Sequence, residues 1–489
     1  MIQVQQLKKI IFIFIGLAVL ITVAFHASSQ PFTLEIQIKN QPDEPIYIGK
    51  IKGDKFIPID TLKVFKVTTG NSVLTNQTKK TSFTFPENSA PGTYRLIFGQ
   101  TTYAKIMNET PQQLDFIFNN ENLIFETDFI APEDSLLVIL SEENRVWFEF
   151  VRKKKEYVKK LKELELEINY CQDHLAVKTQ PSTAGETLCN QYITKFNDLQ
   201  KQRDDLINET IGRYPKLLAS VMIKMYHEPF LDGNLTSQQR KEIFQKDFFN
   251  SLDFTDERLI NSSVYSNRIF YFLTSYNQPG FTKEQLENEY KKAVDVVIAN
   301  ANKNQKVYEF ILDYMVHGFE VLKMDNVIDY IADNYSGTTC QTDEKTTLER
   351  KLDSREMKVG SVVPDFTLND INGDPVTLSE IQKDKTLVLF WASWCPHCNE
   401  MMPFIKNWVK QHNMEVVAVS LDTSKTEWKN GVFKLGMESW FNLSDLKEWD
   451  GKVATDYNVY ATPTMFIIDK NRKILAKPVT SVDLAKLSF

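Results

Sequence analysis

The sequence has no excess of basic charge: 57 lysines and arginines stand against 64 aspartates and glutamates, a net charge of −7. Nucleic acids are held by a surplus of cations over the phosphates, so a nucleic-acid partner is not expected. Cysteine is scarce, with five in 489 residues, and only Cys395 and Cys398 form a Cys-x-x-Cys pair. A zinc site built on such a pair needs a second pair of ligands. Cys171, Cys189 and Cys340 do not supply one, and no metal is expected. Beyond residue 30 no second apolar run reaches the ~20 residues that span a bilayer. The longest basic run, "RKKKEYVKKLKELE" from Arg152, is interleaved with glutamates and periodic apolar residues, which is the pattern of a solvated helix face.

What is present begins at the N-terminus. Lys8 and Lys9 precede "IIFIFIGLAVLITVAF", which is followed by "HASSQP", the charged, apolar, small-residue order of a secretory signal. With Ala27 and Ser29 at the positions a signal peptidase reads, the mature chain begins at Gln30. The alternative is an uncleaved N-terminal membrane anchor. No cysteine follows the run, which argues against a lipid anchor. Residues 1–29 therefore point to an exported protein of the periplasm or cell envelope, an oxidising compartment in which disulfides persist.

The length implies about three domains, and the patterning changes twice. From 30 to 140 apolar and polar residues alternate with the period of half-buried strands, as in "FTLEIQIKN", "TSFTFPENSAPGTYRLIF" and "LDFIFNNENLIFET". Turn residues recur between them, which predicts a β-sandwich-like domain. From 141 to 350 the period is helical. Tyr157, Leu161, Leu164, Ile168, Cys171 and Leu175 form one seam of a long helix. A second helix starts near Glu186, and Thr236 with Gln239 and Thr282 with Gln285 are capping boxes opening two more. The spacing predicts an all-α domain of six or seven helices. From 357 to 489 strands and helices alternate: "TLVLF", a helix to about Gln411, "MEVVAVSLD", "SKTEWKNGVFKLG", "TMFIID" and "ILAKP". That order predicts an α/β thioredoxin fold.

Three separated motifs then carry a resemblance. "VGSVVPDFTL", "FWASWCPHC" and "YATPTMFIID" occur in the order found in TlpA/ResA-like thioredoxin-fold thiol-disulfide oxidoreductases, over about a quarter of the chain. The β-plus-helical extension before them resembles that of many such proteins of the Bacteroidetes. The resemblance implies a protein-disulfide oxidoreductase with no cofactor, in which Cys395 attacks, Cys398 resolves, and the two form a redox-active disulfide. It implies that Trp394, Thr462 and a cis Pro463 contact the substrate. Protein disulfides or dithiols are the implied substrates, and a membrane-bound partner the implied electron donor.

Elementary chemistry agrees with those roles. The thiolate is the nucleophile of disulfide exchange, so Cys395 needs a lowered pKa and access to solvent. A helix N-terminus favours a negative charge there, and Pro396 suits the first turn because its missing N–H is not needed. His397 is expected to stabilise the thiolate and tune its pKa together with Pro396. A peroxidase would carry Pro and Thr or Ser where Val388 and Ala392 stand. Leu389 occupies the place of thioredoxin's buried aspartate, and Met401 that of an acid in ResA-like proteins, with Glu400 one position early. The Pro-His pair favours an oxidising couple, whereas the resemblance is to reductants, and the expectation is a reductase or isomerase. The alternative from another class is a non-enzymatic, redox-sensitive docking protein of the envelope. Cys171 and Cys189 flank a helix–loop–helix turn and suit either a structural disulfide or two buried thiols on packed helices. Cys340, in a polar linker, is a free thiol or the partner of an intermolecular bond.

Overall fold

The computed structural model describes residues 31–66, 78–177, 183–335, 347–355 and 357–488. The signal-like segment 1–29 and Cys340 lie outside them. No helix of the described residues is long and apolar enough to cross a membrane. The chain divides into two compact units, Met1–Phe272 and Leu273–Phe489.

The first unit begins with strands β1 (Thr33–Lys39), β2 (Ile46–Lys52), β3 (Lys55–Leu62), β4 (Phe65–Lys66), β5 (Lys79–Thr84), β6 (Gly92–Ile97), β7 (Gln113–Phe118), β8 (Leu123–Asp128) and β9 (Leu137–Leu140). They form two sheets, β4-β5-β1-β8-β9 and β3-β2-β6-β7. The alternation that marks the strands also sorts their faces: Leu34, Ile36 and Ile38 of β1 are fully buried, with the residues between them half-buried. Inward side chains of both sheets share one core, in which Phe85 stacks on Phe118 at 3.8 Å between centroids. Asn120, at φ 55°, turns the chain between β7 and β8, and the two strands it joins enter different sheets.

Helix Glu142–Val177 follows and is tied to the strands by a buried side chain. Asn144 Oδ1 accepts from Ile117 N–H at 2.8 Å while its Nδ2 donates to Ile117 O at 2.7 Å. Glu143 accepts from the backbone N–H groups of Leu218 and Ala219, the open donors that begin helix Leu218–Lys224. Helix Thr183–Arg213 lies against Glu142–Val177, and a disulfide joins Cys171 to Cys189 across the hairpin, with Cα atoms 5.9 Å apart.

Eight α-helices lie between 141 and 335 among the described residues, rather than six or seven. One boundary that the helix count turns on is local: Lys323, at φ 55°, separates Gln305–Val321 from Asp325–Tyr335. Both capping boxes form, at Thr236 with Gln239 and at Thr282 with Gln285. The stretch 141–350 does not pack as one body: helices up to 272 group with the two sheets, and those from Lys283 onward belong to the second unit.

In the second unit, strands β10 (Thr367–Asn369) and β11 (Pro375–Thr377) form a small hairpin. Strands β12 (Lys385–Trp391), β13 (Glu415–Ser420), β14 (Phe441–Leu443), β15 (Thr464–Asp469) and β16 (Ile474–Ala476) form a sheet in the order β14-β13-β12-β15-β16. β12, β13 and β14 run parallel, β15 is antiparallel to β12, and β16 is antiparallel to β15. β12 is central and covered on both faces, which is why "TLVLF" is a continuous apolar run: Leu387 to Trp391 are all fully buried. Helix Pro396–Gln411 is the crossover from β12 to β13.

Candidate functional site

The site is built where β12 ends. Its last residue, Trp391, pairs with Ser420 of the parallel neighbour β13. Two residues further on, the same register sets Ser393 beside Asp422. The Asp422 carboxylate is fully buried. It accepts from Ser393 N–H at 3.1 Å, Ser393 Oγ at 2.6 Å and Ser420 Oγ at 2.6 Å. A buried carboxylate needs such donors to remain charged, and here they fix the turn that precedes the cysteines. Gly431 of helix Lys425–Leu435 closes over the same turn. A Cβ there would meet Ser393 Cβ at 2.8 Å, so only glycine permits the approach.

Cys395 is the N-cap of helix Pro396–Gln411. Its Sγ accepts the N–H of Cys398 at 3.2 Å, one of the orphan donors of the first turn. The Cys395 thiol also donates to the carbonyl of Thr462 at 3.4 Å, and the Thr462–Pro463 peptide is cis. The expectation that Cys395 is open to solvent is corrected: it is 4% exposed and Cys398 0%. The reason is the Thr462 carbonyl on its sulfur, a contact between residues 67 positions apart. Burial first, and then the hydrogen bond with Cys395, pushes the Cys398 thiol up to about 12.

Other residues singled out from the sequence fall at different distances from this centre. Trp394 is 48% exposed and tilts against Trp449, centroids 6.3 Å apart. Pro396 takes the first helical position. His397 stands in solvent, its side chain 81% exposed, with Nδ1 4.0 Å from the Glu400 carboxylate one turn on. The structure thus turns its imidazole towards Glu400, not onto the Cys395 sulfur. Leu389 is a core residue and Met401 packs half-buried against the same core. Asp422, Ser393 and Ser420 escaped the sequence reading. The only signal was an acid following directly on "VVAVSL", at the end of the strand that neighbours β12.

Pro463 also lines a cavity of about 200 Å³, together with Leu352, Tyr457 and Tyr460. The cations in its wall are all engaged: Lys351 with Glu320, Arg355 with Asp325 and Asp329, and Lys477 with the Ser354 carbonyl.

Residues 359–477 match the AhpC/TSA family. The same part of the chain is similar to thiol-disulfide oxidoreductase ResA of Bacillus thuringiensis, 28% identical over 126 residues, covering 25% of this chain and 70% of that protein. It is similar to ResA of Bacillus subtilis, 30% identical over 119 residues, covering 24% of this chain and 64% of that one. Among solved structures it is similar to a thiol-disulfide oxidoreductase from Bacteroides fragilis, at 25% identity and a TM-score of 0.24, over 26% of this chain and 95% of that chain. A thioredoxin-like protein from Bacteroides caccae is similar over 51% of this chain and 91% of its own, at 19% identity and a TM-score of 0.31.

Proposed function

We propose that this chain, whose C-terminal domain is a thioredoxin-fold domain of the ResA/TlpA-like thiol-disulfide oxidoreductases, is an exported enzyme that exchanges disulfides on proteins of the cell envelope through Cys395 and Cys398. The observation that carries the reading is the placement of the Cys395 sulfur: at a helix N-terminus, accepting the Cys398 N–H, beside the backbone of Thr462.

The chemistry balances as two transfers. Cys395, as thiolate, attacks one sulfur of a substrate disulfide; a Cys395–substrate bond forms, the substrate S–S bond breaks, and the departing thiolate takes up a proton. Cys398 then loses its proton and attacks Cys395 Sγ, forming the Cys395–Cys398 disulfide and releasing the second substrate thiol. Two electrons pass from the protein to the substrate. A membrane-bound donor restores the dithiol, which makes the direction that of a reductase, or of an isomerase where the substrate's own second thiol resolves the mixed disulfide. Thr462 contacts the sulfur. With Pro463, its own neighbour in sequence, and Trp394, the neighbour of Cys395, it forms the substrate-contacting set in this reading. Residues 1–29 act as the export signal.

The test is catalysed reduction of insulin disulfides by the full chain with dithiothreitol as donor. Cys395→Ser and Cys398→Ser should each abolish the acceleration, while Cys171→Ser leaves it. Turnover in the Cys395→Ser variant would reject the assignment.

A further inference from the structure

The helices of the first unit enclose a group of charges that disulfide exchange does not use. A cavity of about 270 Å³ opens among Glu142–Val177, Thr183–Arg213 and Val264–Thr274. Phe150, Tyr157, Tyr226 and Tyr271 supply its apolar wall. Three cations, Lys154, Arg203 and Arg268, stand in the same wall, and Glu228 is the one carboxylate among the lining residues.

Glu228 is already shared. Its Oε2 lies 2.9 Å from Arg203 Nη1 and its Oε1 3.1 Å from Arg268 Nη1. Arg203 has a second acid in Asp204, 3.1 Å from Nε. Lys154 has no carboxylate within ion-pair distance among the described residues. Its Nζ lies instead 3.8 Å from the centroid of Tyr226. Arg268 is 4% exposed and its buried Nε has no hydrogen-bond partner. Its guanidinium addresses the same Tyr226 ring, at 5.5 Å. Lys154 Nζ and the Arg268 guanidinium therefore both stand over the Tyr226 ring, with Arg268 packed more closely on Phe248, at 4.5 Å.

Lys154 is half-buried with no carboxylate at ion-pair distance among the described residues, so the desolvation of its ammonium is only partly offset. The cavity beside Pro463 shows how this chain fills such places when packing is all that is required, with every cation bonded. Here the wall keeps an excess of positive charge beside four aromatic rings. Ligand pockets generally begin near ~300 Å³, so the space suits a small molecule and not a peptide. Lys154 belongs to the basic run from Arg152 that reads as solvated; it is the member turned inward. Burial, with the nearby Arg268 charge as the next cause, pushes its ammonium down to about 8, a penalty that a bound anion offsets.

We propose that this cavity binds a small aromatic carboxylate, its carboxylate meeting Lys154 Nζ and its ring lying against Tyr157, Tyr226 and Tyr271. The site is separate from the cysteine pair and does not depend on the redox reading.

The experiment is calorimetric titration of the full chain with 3-phenylpropanoate, its uncharged amide and inorganic phosphate. The carboxylate should bind with one-to-one stoichiometry, and the amide and phosphate at least tenfold more weakly. Lys154→Met should weaken carboxylate binding at least tenfold, while Cys395→Ser leaves it unchanged. Should Lys154→Met fail to fold, protection of Lys154 from acetylation by the bound carboxylate, read by mass spectrometry in the wild type, decides instead. No saturable binding, equal binding of the amide, tighter binding of phosphate, or a Lys154 that is neither needed nor protected would overturn the proposal.

Discussion

The backbone N–H of Cys398 donates to the sulfur of Cys395 across 3.2 Å, so in the proposed reaction the resolving residue also holds the attacking sulfur before attack. Burial acts on the Cys398 thiol, which is pushed up to about 12. Alkylation of the reduced protein at pH 7 should therefore modify Cys395 first, even though both side chains are buried. The reactive form of Cys398 is the deprotonated one, and a raised pKa delays its appearance. Its labelling rate should climb about tenfold per pH unit from 7 to 10 without a plateau. A plateau below pH 9, or faster labelling of Cys398, contradicts the assignment of roles.

His397 tests whether the dipeptide between the cysteines sets the potential. With its side chain 81% exposed and beside Glu400, its charge is screened by water. His397→Ala should shift the potential, in a glutathione redox titration, by less than about 30 mV, the equivalent of a tenfold change in the dithiol–disulfide equilibrium. The shift should be downward, because removing the imidazole withdraws whatever stabilisation it gives the thiolate and with it the reduced pair. A fall of 100 mV or more would mean that the imidazole acts directly on the sulfur.

Asp422 should matter to the stability of the second unit. Asp422→Asn keeps the shape but replaces one acceptor oxygen by a donor facing Ser393 or Ser420. Leaving a buried hydrogen-bonding group unsatisfied costs about 1–3 kcal/mol, and urea unfolding should show a loss in that range with the m-value unchanged. Asp422→Glu should not rescue it, since the buried site has no room for another methylene. An unaltered midpoint would remove Asp422 from the framework of the site.

The Cys171–Cys189 bond closes a sequence separation of 18 residues. In a chain-entropy treatment a loop of that length stabilises by about 3 kcal/mol. Cys171→Ser should lower the unfolding free energy by about that amount while insulin reduction is unchanged. Loss of turnover on this substitution would tie the helical hairpin to the redox reaction.

What the sequence revealed, and what it did not, divides by range. Strand β12, the cysteine turn and the capping boxes are local features, written in apolar runs and in residue pairs three apart, and they lie where the pattern puts them. Burial of Cys395 depends on Thr462, 67 residues away, and the Asp422–Ser393 bond spans 29. Both follow from strand register, which no single segment encodes. The pattern likewise identifies β7 and β8 as strands but not that Asn120 sends them into different sheets. Lys154 is the same lesson on a helix: composition reads its run as solvated, while the helical period turns this one residue into the aromatic cavity.

The central claim, that Cys395 forms and Cys398 resolves a bond to other proteins, is tested most directly by trapping. With Cys398→Ala expressed in full length and cells quenched in acid, non-reducing gels and mass spectrometry should reveal several envelope proteins disulfide-bonded to Cys395 and released by dithiothreitol. The Cys395→Ala, Cys398→Ala double variant should capture none. An absence of mixed disulfides in the single variant, or the same proteins retained by the double variant, would contradict the account and leave a docking protein in its place.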